Sequence, residues 1–220
     1  MSRRWVHAAL ALSVVAGLAA VSPTVYARSV ETPKYTLAAE QPEFEVRRYA
    51  PRIVAEVTVT GDPDQATNAG FRLLADFIFG NNTARTEIAM TAPVDRTASE
   101  AIAMTAPVDR TAGDAPETWV VAFTMPSKYT LDSLPRPNDA RVKIREVPGK
   151  TYAVVRFSGA PGERVVSRRM AELVAAVDAA GLTRTGAAPT YARYDPPWTL
   201  GFLRRNEIFV ELVVPVDEAD

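Results

Sequence analysis

Few side chains in this sequence could carry out chemistry. Its 220 residues include one histidine, His7, and no cysteine. A Ser-His-Asp or Cys-His catalytic arrangement needs an imidazole or a thiolate, and structural zinc sites use the same ligands. Because His7 lies in an N-terminal segment that is expected to be removed, the rest of the chain is expected to lack such catalysis and to hold no zinc site of the usual type.

A pair of carboxylates is the remaining route to hydrolysis. Glu207 and Glu211 are four residues apart in a run with strand character, so their side chains would share one face of a strand. Any strand with acidic residues at that spacing would do the same, and no other pattern points to an active site. The sequence therefore predicts no catalytic residues and a protein that is not an enzyme.

Recognition is the other chemistry that the sequence offers. Residues 191–206 form an aromatic and proline-rich segment before the last predicted strand. One interpretation is a ligand wall with cationic groups for an anionic edge, because Arg matches carboxylate geometry well. The other is a loop that packs back on the protein, with its arginines bound to nearby carboxylates. The side chains concerned are Trp198, Leu200, Phe202, Leu203, Arg204 and Arg205.

Two predicted helices differ in their apolar faces. The second, from about 163 to 180, has one stripe, typical of packing on a sheet. The first, from about 64 to 79, has two stripes: Ala66, Gly70, Leu73 and Phe77, then Phe71, Leu74, Ala75 and Ile78. One stripe can cover the sheet, and the other must face a flat hydrophobic ligand, a partner chain or a loop of the same protein.

A long internal repeat positions these elements. Residues 44–61 align without a gap on 142–159, and both read as strand, turn, strand and glycine. A helix and a further strand follow each copy. The sequence predicts an α+β fold, in which duplicated ββαβ-type halves, at about 40–126 and 138–214, form a distorted antiparallel β-barrel flanked by two helices. Residues 28–220 are expected to be a single domain.

A shorter repeat is exact. Residues 88–98 recur as 102–112. Residues 88–94 and 102–108 favour strands, with Pro93 and Pro107 near their ends, where proline is tolerated. Either both copies are short strands, or one copy is a duplication within a loop.

The N-terminus reads as a secretory signal peptide over residues 1–27. Arg3 and Arg4 precede an uncharged apolar run, and Val25-Tyr26-Ala27 fits a cleavage site. The apolar run is short for a membrane span, so none is expected after cleavage, and the protein is expected to be periplasmic or secreted. With a formal net charge of −1, nothing suggests a nucleic-acid partner.

Three ordered motifs carry a resemblance to the SOUL haem-binding protein family. They are Ala-Met-Thr-Ala-Pro-Val at 89–94 and 103–108, Tyr-Asp-Pro-Pro at 194–197 and Arg-Arg-Asn-Glu-Ile at 204–208. The resemblance covers about residues 35–214. It implies the same duplicated α+β fold, which is also similar to the effector-binding domains of bacterial regulators. It further implies haem or tetrapyrrole binding in a shallow apolar groove between the first helix and the loop before the last strand. The groove residues would be Phe71, Arg72, Leu74, Ala75, Ile78, Trp198, Leu200, Phe202, Arg204 and Arg205.

The sequence departs from the family pattern at basic positions. Asp76 and Thr199 stand where haem-binding members carry Lys, which leaves Arg72, Arg204 and Arg205 for the propionates. Axial ligation would fall to Met, Tyr or Lys, so haem is expected to be held by burial without a strong iron bond. The alternatives are a general binder of amphipathic small molecules and a protein that uses the same apolar face to form a homodimer.

Overall fold

A computed structural model of the protein describes residues 30–85 and 99–213. The strands are β1 Tyr35–Glu40, β2 Glu45–Tyr49, β3 Arg52–Thr60, β4 Asn82–Thr83, β5 Val108–Ala112, β6 Thr118–Thr124, β7 Arg136–Pro137, β8 Lys143–Val147, β9 Lys150–Ser158, β10 Thr190–Arg193 and β11 Arg205–Leu212. The helices are α1 Pro63–Ile78 and α2 Glu163–Ala179, and Gly201–Leu203 forms a short 3₁₀ turn. The predicted signal peptide lies outside the described residues.

One large antiparallel sheet dominates the fold. Its strand order is β1-β2-β9-β11-β10-β5-β6-β3-β8, and β4 pairs with β7 in a small second sheet. α1 packs on β3 and β6, while α2 packs on β9 and β11. Strands from both sides of the order line one cavity on the face away from the helices, so the sheet curls into a half-barrel. The predicted α+β class is confirmed.

The strands of the two halves correspond in position. β2 and β8, at 45–49 and 143–147, are separated by the predicted 98 residues, as are β3 and β9. The strand order from β2 to β8 is also symmetric. β2 and β8 stand at the two ends, followed inward by β9 and β3, then by β11 and β6, and then by β10 and β5. Duplication of the halves stays a prediction.

The strand–turn–strand segments at 44–61 and 142–159 do not form hairpins, unlike β5 with β6 and β10 with β11, which pair within their half. β2 pairs with β9, placing Tyr49 opposite Lys150, and β3 pairs with β8, placing Arg52 opposite Val147. The tight turns of two-residue hairpins need positive φ in their central residues, and Pro51 is fixed near −65°. The chain therefore leaves β2 and continues into a strand that pairs with the other half.

Local signals fix the start and the packing of α1. Asp62 caps the helix, and its Oδ1 accepts hydrogen bonds from the backbone N–H groups of Asp64 and Gln65 at 3.0 and 3.3 Å. Pro63 occupies the first turn, where its missing N–H costs nothing. A Cβ on Gly70 would lie 2.7 Å from the Val121 side chain, so the glycine lets α1 approach β6 closely.

The strand predicted at 102–108 is displaced toward the C-terminus. The strand begins only at Val108, after Pro107, which has no N–H to give to a ladder. The preceding segment packs against the end of α1 instead. The Ile102 side chain is buried, and its backbone N–H donates to the Ile78 carbonyl at 2.8 Å. The first copy of the short repeat lies outside the described residues.

Candidate functional site

The loop between β10 and β11 exposes most of its large apolar side chains. Trp198 is 76% exposed, Phe202 71% and Leu200 58%, and Leu203 beside them is also exposed. Apolar surface clustered in this way is uncommon on a soluble monomer and typically marks an interaction site. Three residues that the sequence predicted as a ligand wall, Trp198, Leu200 and Phe202, are therefore accessible.

Polar contacts within the loop and at its ends hold it in one shape. The Arg204 guanidinium donates from Nε to the Thr199 carbonyl at 2.8 Å and from Nη2 to the Pro197 carbonyl. The Arg205 backbone N–H donates to Asp195 Oδ2 at 2.6 Å. Thr199 is buried beneath the loop. These bonds order the backbone in advance, so binding on the exposed side chains would cost little loop entropy.

The loop ends beside the turn that leads into α2. The Gly159 backbone N–H donates to the Arg204 carbonyl at 3.2 Å, and Gly201 lies against Ala160. The link to α1 is an ion pair at the base of the loop, where Arg193 Nη2 lies 2.5 Å from Asp64 Oδ1. The loop therefore has α2 as its immediate neighbour and reaches α1 at its first turn.

Arg204 and Arg205 bind different partners. Arg204 donates to backbone carbonyls of the loop, as described above. Arg205 points to the opposite face of the sheet, where its Nη2 lies 2.7 Å from Glu207 Oε1 and its guanidinium stacks on the Tyr194 ring at 4.0 Å. Both arginines thus have protein partners, which favours the second of the two interpretations made from the sequence for these cations.

Glu207 is the centre of a buried charge cluster. Its carboxylate is fully buried and accepts bonds from Arg47 at 3.1 Å and from the Tyr194 hydroxyl at 2.6 Å, besides Arg205. Burial first, and then this carboxylate, raise the pKa of Tyr194 above its usual range. The second carboxylate of the predicted pair, Glu211, is bound to Lys150 at 2.7 Å. Both carboxylates therefore serve in ion pairs of the sheet.

The second stripe of α1 is occupied by the protein itself. Leu74, Ala75 and Ile78 are buried, and Leu74 and Ile78 share one core cluster with the loop residues Ile102 and Leu134. A loop of the same protein, one of the three occupants considered from the sequence, covers this stripe. These three residues therefore present no surface to a ligand in this structure.

The outer part of α1 remains accessible. Phe71 is half-buried and meets the ring of Phe123 edge to face, with centroids 5.4 Å apart. Arg72 is exposed. These two predicted residues are therefore accessible, and their facing the exposed loop across a groove stays a prediction.

The sequence of this chain places it in a known protein family. The sequence matches the family described as SOUL heme-binding protein over residues 30–211. The chain belongs to the SOUL family. The match covers nearly all the described residues, including α1, the exposed loop and β11. No curated sequence matches significantly.

Solved structures share the SOUL-family fold of this chain. The EcmrR C-terminal domain gives a TM-score of 0.56 at 10% identity, over 82% of this chain and 99% of that one. EcmrR in a DNA complex gives 0.52 at 13% identity, over 81% of this chain and 57% of that one. A hydrolase from Listeria innocua gives 0.49 at 13% identity, over 80% and 94%. At identities this low, the two EcmrR matches show a shared fold and nothing more.

The residues present fit a tetrapyrrole in one respect. An exposed and rigid apolar loop suits one face of a flat macrocycle. The loop and its described neighbours offer no imidazole or thiolate to an iron atom, and the Tyr194 hydroxyl is already bound to Glu207. Among the described residues, no group of three or more His, Cys, Asp or Glu side chains could hold a metal ion. Burial of the ring, without axial ligation, is the mode that these residues support.

Two features of the structure were not predicted from the sequence. Arg110 pairs with Glu163 at the start of α2, as Arg193 pairs with Asp64 at the start of α1, so each half's arginine binds the other half's helix. The second feature is a polar cavity around Asp109 on the other face of the sheet. Strict alternation along residues 108–112 would have been the signal, but the displaced strand boundary hid it.

Proposed function

We propose that this SOUL-family protein binds haem or a related tetrapyrrole without catalysing a reaction, and that the exposed loop carries the site. The observation that carries the proposal is the set of large apolar side chains, Trp198, Leu200 and Phe202, held outward on a loop whose backbone is fixed by Arg204. Family membership supplies the ligand class.

The site residues follow from exposure. Trp198 and Phe202 would lie against the macrocycle, and Leu200 would pack at its edge. Phe71 and Arg72 on α1 would form the far side of the groove, with Arg72 toward a propionate. Leu74, Ala75 and Ile78 would act from beneath, since all three are buried under α1.

Apolar contact would supply most of the affinity. Burying a large apolar side chain is worth about 1.5–3 kcal/mol, whereas an exposed ion pair adds less than about 1 kcal/mol. Three such side chains supply about 4.5–9 kcal/mol before the costs of association. A micromolar dissociation constant corresponds to about 8 kcal/mol, so micromolar binding is near the upper limit for this loop alone.

A titration of the purified protein with haem, followed at the Soret band, tests the proposal. We expect saturable binding in the micromolar range or weaker. Leu200→Ser is expected to weaken it by at least about threefold. Leu37→Ser provides the matched control, because Leu37 is an equally exposed leucine on β1 (54% against 58%) outside this loop. Absence of saturable binding by the parent overturns the proposal.

The same preparation separates the two alternatives. An unrelated apolar dye that binds as tightly as haem, and loses affinity equally in Leu200→Ser, indicates a general binder of amphipathic molecules. A dimer in sedimentation that dissociates in Leu200→Ser indicates that this loop is a homodimer face. We expect haem to bind more tightly than the dye and the parent to sediment as a monomer.

We also propose that the protein acts in the periplasm or is secreted, from the basic start, apolar run and Val-Tyr-Ala site at its N-terminus. Among the described residues, no helix is long and apolar enough to cross a membrane. Mass spectrometry of the exported protein should find Arg28 as the first residue. An intact Met1 on membrane-bound protein would contradict this.

A further inference from the structure

The concave face of the sheet, away from both helices, encloses a second cavity. Its volume is about 230 Å³, and its lining comes from β2, β3, β5, β6, β8, β9, β10 and β11 and from the segments beside them. Three rings form one wall, in which Tyr49, Tyr152 and Phe209 meet edge to face with all centroids 5.7 Å apart. Pockets for drug-sized ligands have about 300–1,000 Å³, so this cavity suits a molecule of one or two rings and is too small for a tetrapyrrole.

The strand register explains why the cavity is hollow. Asp109 on β5 lies opposite Ala192 on β10 and opposite Ala122 on β6. Side chains at paired positions share a face of the sheet, so Asp109 stands between two methyl groups. Because both neighbours are small, neither fills the cavity that Asp109 and Ala122 line.

One oxygen of this carboxyl group lacks a partner. Asp109 Oδ1 is inaccessible to solvent and has no hydrogen-bond partner among the described residues. Burial raises the pKa of Asp109 to about 7, against the opposing effect of Arg52. A buried polar atom without a hydrogen bond is costly, and in native proteins such an atom often indicates a missing water, ion or ligand.

A cation in the same cavity is in a similar position. Arg52 Nε and Nη1 are buried and lack hydrogen-bond partners among residues 30–85 and 99–213. The guanidinium lies 5.8 Å from the centroid of the Tyr49 ring. Asp109 thus supplies an acceptor, and Arg52 supplies donors, that no described group satisfies; Glu56 Oε2 also lacks a hydrogen bond but lies 2.9 Å from Arg145 Nη2.

The other charges that line the cavity are matched by the protein. Arg145 binds Glu56 at 2.9 Å, and Lys150 binds Glu211 at 2.7 Å. A ligand that was only a cation would satisfy Asp109 and be repelled by Arg52. A ligand that was only an anion would satisfy Arg52 and be repelled by ionised Asp109. Only a molecule with both a donor and an acceptor satisfies both groups.

We propose that this cavity is a second binding site, which takes a small aromatic molecule carrying both an N–H donor and an oxygen acceptor, such as an amide or an amino acid. The N–H group binds Asp109, the oxygen binds Arg52, and the ring packs against Tyr49, Tyr152 and Phe209. The site is independent of the tetrapyrrole proposal, because it lies on the opposite face of the sheet from the helices and includes none of the exposed apolar side chains of the loop, although Tyr194 at the start of that loop lines the cavity.

Three probes with one ring each test the proposal: benzamide, benzylammonium and benzoate. They are titrated into the full chain at pH 8, where Asp109 is ionised, and binding is followed by NMR chemical shifts. Benzamide carries both groups, whereas the other two carry one each. We expect benzamide to saturate and to bind at least about tenfold more tightly than either of the others. Equal affinities, or no saturable benzamide binding, overturn the proposal.

Variants locate the binding. Ala122→Leu fills the hollow without changing any charge and should weaken benzamide binding at least tenfold. Asp109→Leu removes an unsatisfied buried carboxyl group, so the protein should remain folded while benzamide affinity falls to a similar extent. Asp114→Leu, an exposed acid on the turn between β5 and β6, is the matched control and should bind as the parent does.

Two outcomes among the variants count against the site. Parent-like benzamide affinity in a folded Asp109→Leu protein overturns it, and so does an equal loss in Asp114→Leu. Haem affinity should be unchanged in Asp109→Leu, so a failure of the tetrapyrrole proposal is read from the parent's Soret titration and leaves this test unaffected.

Discussion

The exposed loop and the concave cavity are opposites in what they leave unmatched. In the loop, Arg204 and Arg205 are bonded to protein groups, while Trp198, Leu200 and Phe202 stay uncovered. In the cavity, the aromatic rings pack on one another while Asp109 and Arg52 stay unpaired. The loop therefore offers uncovered apolar side chains to an apolar ligand surface, whereas the cavity offers unpaired polar groups to a ligand with a polar edge.

The largest expected effect separates the loop from the core beneath it. From the sequence, Leu74→Asp would abolish ligand binding with the fold intact. Leu74 is 0% exposed within the α1 core cluster, so the substitution should cost about 5 kcal/mol of unfolding free energy by placing a carboxylate among apolar side chains. Urea denaturation measures this. A stable Leu74→Asp protein that has lost only haem would restore the groove as first predicted.

The next largest effect concerns the protonation of Asp109 in the cavity. Because the folded protein holds a proton on Asp109 up to about pH 7, and the unfolded chain loses it near pH 4, this group stabilises the folded state at low pH. That stability is lost as the pH rises from about 4 to 7, by about 1.4 kcal/mol per unit and up to about 4 kcal/mol in all. Asp109→Asn removes the slope.

Urea denaturation of the parent and Asp109→Asn at pH 4.5 and 7.5 isolates this contribution, since all other titrating groups are shared. The variant should gain stability relative to the parent at the higher pH. A constant difference between the two proteins would mean that Asp109 titrates as an exposed carboxyl, and that the cavity is not as dry as its geometry indicates.

A smaller effect is expected from the apolar side of the comparison. The double change Trp198→Ser and Phe202→Ser removes two exposed rings. Unfolding free energy should change by less than about 1 kcal/mol, because surface substitutions are typically near neutral. Haem affinity should fall at least about tenfold, since the two rings account for about 3 kcal/mol or more of burial. Loss of stability instead of affinity would make these rings structural.

The smallest effect concerns the order of the loop. Arg204→Met keeps the length of the side chain and removes its hydrogen bonds to the Thr199 and Pro197 carbonyls. Haem affinity should fall about threefold to tenfold as the loop loses its fixed shape. Hydrogen exchange at residues 198–203 should accelerate in parallel. Affinity loss without faster exchange would assign Arg204 a direct contact with the ligand.

Much of the fold was predictable because its signals are local. Alternating apolar residues and glycines placed β2, β3, β8 and β9, and the first helix, predicted from about residue 64, begins at Pro63. Strand pairing was not predictable, because nothing within residues 44–61 specifies a partner about 100 residues away. The conformational limit that Pro51 sets on the turn was the one local sign that β2 and β3 are not a hairpin.

The candidate site was predictable only in part. The composition of the loop indicated exposed apolar surface, and Trp198, Leu200 and Phe202 are exposed. The second stripe of α1 was equally apolar, yet Ile102 and Leu134, distant in sequence, cover it. Periodicity reports that a face is apolar and gives no information about what covers it. The same limit hid Asp109, whose burial depends on how four strands curl around it.

The crossed pairing of the halves has a consequence for how the chain reaches its folded state. β2 can pair only after β9 has been synthesised, and Arg47 of β2 can bind Glu207 only after a further segment, because the two residues are 160 positions apart. A nascent chain released before β11 would have neither the complete sheet nor the Arg47–Glu207 ion pair. Folding that depends on such distant contacts is slow, so the first half should behave, if produced alone, as a sheet with open edges that aggregates.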